Sequence, residues 1–436
     1  MAERRRPAGQ GAESPAWLTR RGLLSGGALA AAATVTGGAP AGAAATSSPP
    51  GAAATGSPPG AAATGGPAGA GPASGGTSGP AGGAVEPFHG PHQAGVATPP
   101  QAHAVFVAFD LRKGVDREAL ARMMRLLTDD ARRLTQGRPA LADTEPELAA
   151  LPARLSVTFG FGPRFFDAAG VAEHRPGSVA ALPAFAIDRL QPRWSGGDLL
   201  VQICSDDPLT VTHTLRMIVK DARAFGRVRW TQRGFRRAAH SQPGGMTQRN
   251  VMGQLDGTVN PVPGTADFDR AVWIADGPLR GGTTLVLRRI RAELETWDAA
   301  DTVAKEFTVG RRLSDGAPLT GRYERDAPDL DRLTPAGFPV ISEFAHIRRA
   351  HVADPALRIL RRVYNYDEGV AADGTADAGL LFASYQADVA RQFVPIQRRL
   401  AEADLLNEWT TPIGSAVFAV PPGCGPDGWI GQTLLA

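Results

Sequence analysis

The chain has 436 residues, 20% of them charged, and a formal net charge of +3. That length allows two to three domains of ~150 residues each. A balance so near neutral, with no basic cluster interleaved with aromatics, argues against nucleic acid as a partner. The only cysteines, Cys204 and Cys424, lie far apart, and no Cys/His cluster suggests zinc or an iron–sulfur centre. Whether the two cysteines pair is left open by their spacing.

Residues 1–45 read as an export signal. Thr19-Arg20-Arg21-Gly22-Leu23-Leu24 precedes an alanine-rich apolar stretch ending near Val35, and Ala41-Gly42-Ala43 offers a cleavage site. The stretch is shorter than the ~20 residues of a membrane span. The paired arginines predict passage through the twin-arginine translocase, hence an extracellular or periplasmic, cell-envelope location. Residues 46–95 are dominated by Ala, Gly, Pro, Ser and Thr and contain a nine-residue unit twice, Ser48–Gly56 and Ser57–Gly65. So little large apolar side chain predicts a disordered linker.

Globular patterning starts near residue 100. Ala104–Asp110 alternates as a buried strand, and 117–135 carries Leu120, Met123, Met124, Leu127, Ala131 and Leu134 at helical spacing. Strands over Arg154–Gly160 and Asp198–Cys204, a helix from Pro208 to Lys220 and a strand over Phe225–Trp230 complete a β-α-β-β-α-β order. A looser second round follows. It has a strand at Thr283–Ile290, a short helix at 301–312, and strands at Val363–Tyr366 and Leu380–Ser384. A helix at Ala387–Leu400, kinked at Pro395, and a strand at Ala416–Val420 end it. The expected fold class is α+β. Two ferredoxin-like domains, 96–245 and 246–436, would pack into one barrel-like body with helices outside.

The most informative run is Gly253-Gln254-Leu255-Asp256-Gly257-Thr258-Val259-Asn260-Pro261. It sets a carboxylate between glycines that would let the backbone approach something flat or bulky, and it is much longer than a chance Asx turn. Asp256 would serve as a general base on the open side of a metal centre. His346 has no second histidine at chelating helical spacing. A haem with one open face needs only one axial protein ligand, so a lone histidine suits it. Arg361 would supply a fixed cation for developing negative charge. Strand alternation puts Arg361, Val363 and Asn365 on one face and Arg362, Tyr364 and Tyr366 on the other, and leaves open which arginine points inward. Arg288, at the end of an apolar strand, is a candidate partner for a haem propionate. Asp388, or else Asp377, would accept the second ring N–H of His346. His89-Gly90-Pro91-His92 reads as a loop.

These blocks, together with Gly90–Gln101, Trp194–Cys204, Gly379–Gln386 and Gln392–Leu400, resemble the DyP-type (dye-decolourising) haem peroxidase family, in its exported EfeB-like deferrochelatase/peroxidase branch. The resemblance covers nearly all of 88–436. It implies two ferredoxin-like domains with haem b (iron protoporphyrin IX) mainly in the second. It assigns proximal iron ligation to His346, distal acid–base work to Asp256, charge stabilisation to Arg361 and cofactor contact to Gly257. Hydrogen peroxide and a reducing substrate, such as dyes, phenols or other bulky donors, are the implied partners. Electrons would leave through Trp230, Trp273, Trp297, Trp409, Trp429, Tyr364 or Tyr366. A haem- or iron-handling role beside an iron-uptake transporter is the alternative, and association into a homo-oligomer stays open.

Overall fold

The computed structural model describes residues 81–436 apart from Gly244. The predicted signal and most of the predicted linker lie outside the described residues. Among the described residues there are eleven strands: β1 (His103–Leu111), β2 (Ser156–Phe161), β3 (Leu199–Ser205), β4 (Gly226–Phe235), β5 (Gln248–Arg249), β6 (Leu255–Asp256), β7 (Thr283–Ala292), β8 (Leu360–Arg361), β9 (Tyr364–Val370), β10 (Ala376–Gln386) and β11 (Thr410–Val420). The helices that matter below are α1 (Arg117–Thr135), α2 (Pro208–Ala222), α3 (Thr302–Val309), α4 (His346–Arg349) and α5 (Phe393–Ala403).

The doubling read from the sequence appears in the strand order. The first half-sheet runs β2-β3-β1-β4 and the second β11-β7-β10-β9, all neighbours antiparallel. Numbered within each half, both orders are 2-3-1-4 read from opposite edges, as in a ferredoxin-like unit. The halves meet at two seams, each a single residue pair: Ala419 with Phe161, and Phe235 with Asn365. The eight strands thereby close on themselves.

Local chemistry explains the elements. Asp116 caps α1 by accepting from Ala119 N, and Asp207 caps α2 by accepting from Leu209 N and Thr210 N, with Pro208 in the first turn. The buried faces of β1, β2 and β3 (Val105, Val107, Phe159, Val201, Ile203) pack on Leu120, Met124 and Leu127 of α1 and Ile218 of α2. A second cluster fills the space between the half-sheets with Phe106, Leu200, Trp230, Tyr364, Tyr385 and Phe418. Cys204 is buried, Cys424 is half-buried, and both are free.

One expectation fails in an instructive way. The last long helix begins at Phe393 rather than Ala387, and Ala387–Gln392 is a turn. Pro395 therefore sits in the first helical turn, where its missing N–H has no intrahelical partner to lose, and no kink follows from it.

α1 and α2 also bring two carboxyls together. Burial, then hydrogen bonding to Asp130 and that group's charge, pushes the Asp221 carboxyl up to about 8. Asp130 itself accepts from Leu141 N at 2.9 Å. A folded-state pKa raised this far binds a proton that the unfolded chain releases. Stability from Asp221 is then complete below the ordinary carboxylate range and is lost as pH rises toward about 8. Melting temperature should fall across that interval in the parent and change less with pH in Asp221→Asn. Parallel curves for the two proteins would place the slope elsewhere.

Candidate active site

A cavity of about 510 Å³ lies between the second half-sheet, α5 and the loops around α4. Its walls are largely aliphatic and aromatic: Leu255, Ile290, Val309, Ile347, Leu380, Phe382, Phe393, Ile396 and Leu400 among them. Asp256 and, from far downstream in the sequence, His346 and Arg361 all line it.

Asp256 sits on the two-stranded ribbon β5–β6, where it pairs with Gln248. The flanking glycines serve the turns. Gly253 and Gly257 have φ of 81° and 116°, and neither lines the cavity. A Cβ on Gly257 would meet only ordinary contacts, the nearest at 3.7 Å from Asn260 Nδ2. The positive φ of Gly257 gives it a backbone role in the turn that follows Asp256. Glu324 gathers the ribbon from both sides, accepting from Thr247 Oγ1 and, at 2.9 Å, from Thr258 Oγ1.

The choice between the two arginines falls to Arg361. Its Nη2 lies 3.3 Å from Asp256 Oδ1. Arg362 points the opposite way, is 2% exposed, and donates to Thr98 O and Gln101 Oε1. Strand alternation separates the neighbours as expected.

His346 opens α4, directly after the extended residue Ala345. Two reciprocal bonds fasten α4 to α5: Arg349 Nε donates to Arg399 O at 3.1 Å and Arg399 Nε to Arg349 O at 3.0 Å. The end of α5 then supplies the imidazole's partner. His346 Nδ1 lies 2.6 Å from Asp404 Oδ2. Asp404 is buried, and its other oxygen accepts from Leu406 N at 2.9 Å. This corrects both expected partners. Asp388 instead accepts from Ala390 N and Arg391 N in the turn before α5, and Asp377 lies 3.7 Å from Arg289. Burial lowers the imidazole pKa, the Asp404 charge and hydrogen bond raise it, and the balance lies above the ordinary histidine value. With Nδ1 committed to Asp404, Nε2 is the nitrogen available to the cavity.

Arg288 does line the cavity, but its guanidinium donates to both carboxylate oxygens of Asp188. Arg325 and Arg358 also line it, and among the described residues neither forms an ion pair with a carboxylate. Of the aromatics expected to carry electrons outward, Trp230, Trp297, Trp409, Tyr364 and Tyr366 are buried, while Trp273 and Trp429 are half-buried. His92 stacks on Trp273 at 3.7 Å and bonds Gly281 O through Nδ1, in keeping with a structural loop.

The donor set fits a haem. A largely apolar space, one imidazole whose far nitrogen is held by a carboxylate, and an acid–cation pair elsewhere on the wall are what one-histidine ligation with an open face requires. If Asp404 raises the basicity of His346, Asp404→Asn should weaken haem binding by ~10- to 100-fold. Titration of the haem-free protein followed at the Soret band measures this, and unchanged affinity would remove the carboxylate's charge from the account.

Comparison with known proteins agrees. The family described as "Dyp-type peroxidase, N-terminal" matches residues 93–236, and "Dyp-type peroxidase, C-terminal" matches 247–425. The chain is 40% identical to a dye-decolorizing peroxidase of Thermobifida fusca over 359 residues, covering 79% of this chain and 83% of that one. It is 35% identical to a deferrochelatase of Escherichia coli K12 over 378 residues, covering 80% and 87%. The crystal structure of a DyP-type peroxidase from Cellulomonas bogoriensis superposes with a TM-score of 0.79 at 50% identity, covering 82% of this chain and 99% of that one. Strand order, cavity and sequence thus converge, and the chain belongs to the DyP-type peroxidase family.

Proposed function

We propose that this haem peroxidase holds its cofactor through His346 and activates hydrogen peroxide with Asp256 and Arg361. The supporting observation is the convergence of these three side chains on one apolar cavity. Bound haem supplies the iron at which peroxide is reduced. Asp256 takes the proton from the peroxide oxygen and returns it to the departing oxygen through its carboxylate. Arg361, 3.3 Å from Asp256, holds a permanent positive charge where negative charge grows as the O–O bond breaks. His346 Nε2 would ligate the iron, with its ring held by Asp404, and the aliphatic walls would surround the macrocycle. Arg325 and Arg358 suit the propionates better than Arg288, whose charge Asp188 already answers. Dyes and phenols too bulky for the cavity would give up their electrons at the surface.

An absorption spectrum before and after one equivalent of hydrogen peroxide tests the reading. A Soret band that shifts with peroxide and returns on adding an oxidisable donor is expected. A strong band with no peroxide-dependent donor oxidation would favour the second reading, iron release from haem, which is motivated by the deferrochelatase relative. The paired arginines Arg20 and Arg21 support delivery by the twin-arginine translocase to the cell envelope or beyond. Service to an iron-uptake transporter belongs to the second reading.

A further inference from the structure

Two neutral side chains tie the Asp256 loop to the Arg361 strand. Asn260 Nδ2 donates to Arg361 O at 2.7 Å, and Arg361 N donates to Asn260 Oδ1 at 3.0 Å. Val251 N donates to Asn365 Oδ1 at 3.0 Å, and Asn365 Nδ2 donates to Arg249 O at 3.3 Å. The stretch 249–260, with Asp256 inside it, is thus fastened at both ends to the stretch 361–365 that begins with Arg361.

Topology shows why a side chain is needed here. β8 is two residues long, and one edge pairs with Ser384 and Tyr385 of β10. Its other edge faces no strand among the described residues. A carboxamide carries a donor and an acceptor in one plane, as a peptide group does. Asn260 therefore stands in for the missing strand at the residue whose side chain enters the cavity. An Asx turn would use Oδ1 on backbone a residue or two away. Here both polar atoms reach across 101 residues of sequence.

We propose that Asn260 is a positioning residue for peroxide activation, holding the Arg361 backbone so that its guanidinium meets Asp256. The inference rests on the roles proposed above for Asp256 and Arg361. Asn365 secures the entry to the same loop, so a lost bond at Asn260 frees the exit alone and leaves the loop attached.

The test uses the full haem-loaded chain as parent, Asn260→Ala, Arg361→Ala and the double variant. Two quantities are read: the second-order rate with hydrogen peroxide, and the equilibrium affinity of the ferric protein for fluoride, a small anion that a nearby cation favours. Asn260→Ala should slow the peroxide reaction by ~10- to 100-fold and weaken fluoride binding, with haem content and donor KM unchanged. In the Arg361→Ala background the same change should add less than about twofold, because its effect runs through Arg361. A loss below about twofold in the parent background, or an equal loss in both backgrounds, would overturn the proposal. If Asn260→Ala takes up no haem, Asn260→Asp replaces it. That variant keeps the acceptor for Arg361 N but sets a second acceptor against Arg361 O, and parent-like rates in it would again overturn the proposal. Normal peroxide rates in both Asp256→Ala and Arg361→Ala would sink the functional reading and this inference together. Slow rates there beside a normal Asn260→Ala would sink this inference alone.

Discussion

Asp256→Ala is expected to keep the Soret band of the parent and to lose ~100- to 10,000-fold in its second-order rate with hydrogen peroxide, the usual worth of a positioned general base. The separation of the two effects follows from the geometry. Asp256 lies on a short ribbon at the cavity wall with its charge beside Arg361, whereas the hydrogen bond and the largest charge effect on His346 come from Asp404, and Asp256 acts on that ring more weakly. Stopped-flow absorbance at the Soret maximum measures the rate directly. A variant that reacts as fast as the parent would remove Asp256 from the proton transfer. Parallel loss of haem would reassign it to cofactor retention.

The second large effect is on cofactor binding. His346→Ala should purify with little haem and show weaker uptake on titration, by more than the ~10- to 100-fold expected for Asp404→Asn. The cavity offers no replacement at the same place. His351 also lines the wall, but it follows α4 and is exposed, and among the described residues no carboxylate orders its ring. Added imidazole should restore part of the Soret intensity by filling the space left behind. Full haem retention without it would show that another residue ligates the iron.

The sequence made the strands legible because short apolar runs bounded by turn residues mark strands buried on both faces, and the doubled β-α-β-β-α-β order followed from them. Asp256 was legible for another reason: its motif is local, nine residues whose turn chemistry can be read in one window. Asp404 was not. Its bond to His346 spans 58 residues and depends on where α5 ends against α4, which only the packed structure decides. Asp388 looked better because the apolar pattern of Val389, Phe393 and Ile396 continues upstream into a turn, and periodicity cannot tell a helix from a turn that buries the same face. Asn260 was visible as part of the motif, yet its bonding to Arg361 reflects a bare strand edge that no single window contains.

The single-pair seam between β4 and β9 has an effect far from the haem. From Gly226 to Gly234 the outer side of β4 finds no partner strand among the described residues, which leaves a row of peptide groups able to recruit a stray extended chain. Arg227, Arg229 and Arg233 stand exposed along that stretch. A like strand docking there would bring guanidinium against guanidinium. Although Arg227 and Arg229 also lean on Asp110, like-charge repulsion along this margin disfavours fibrillar pairing of two copies edge to edge, a consequence unrelated to peroxide.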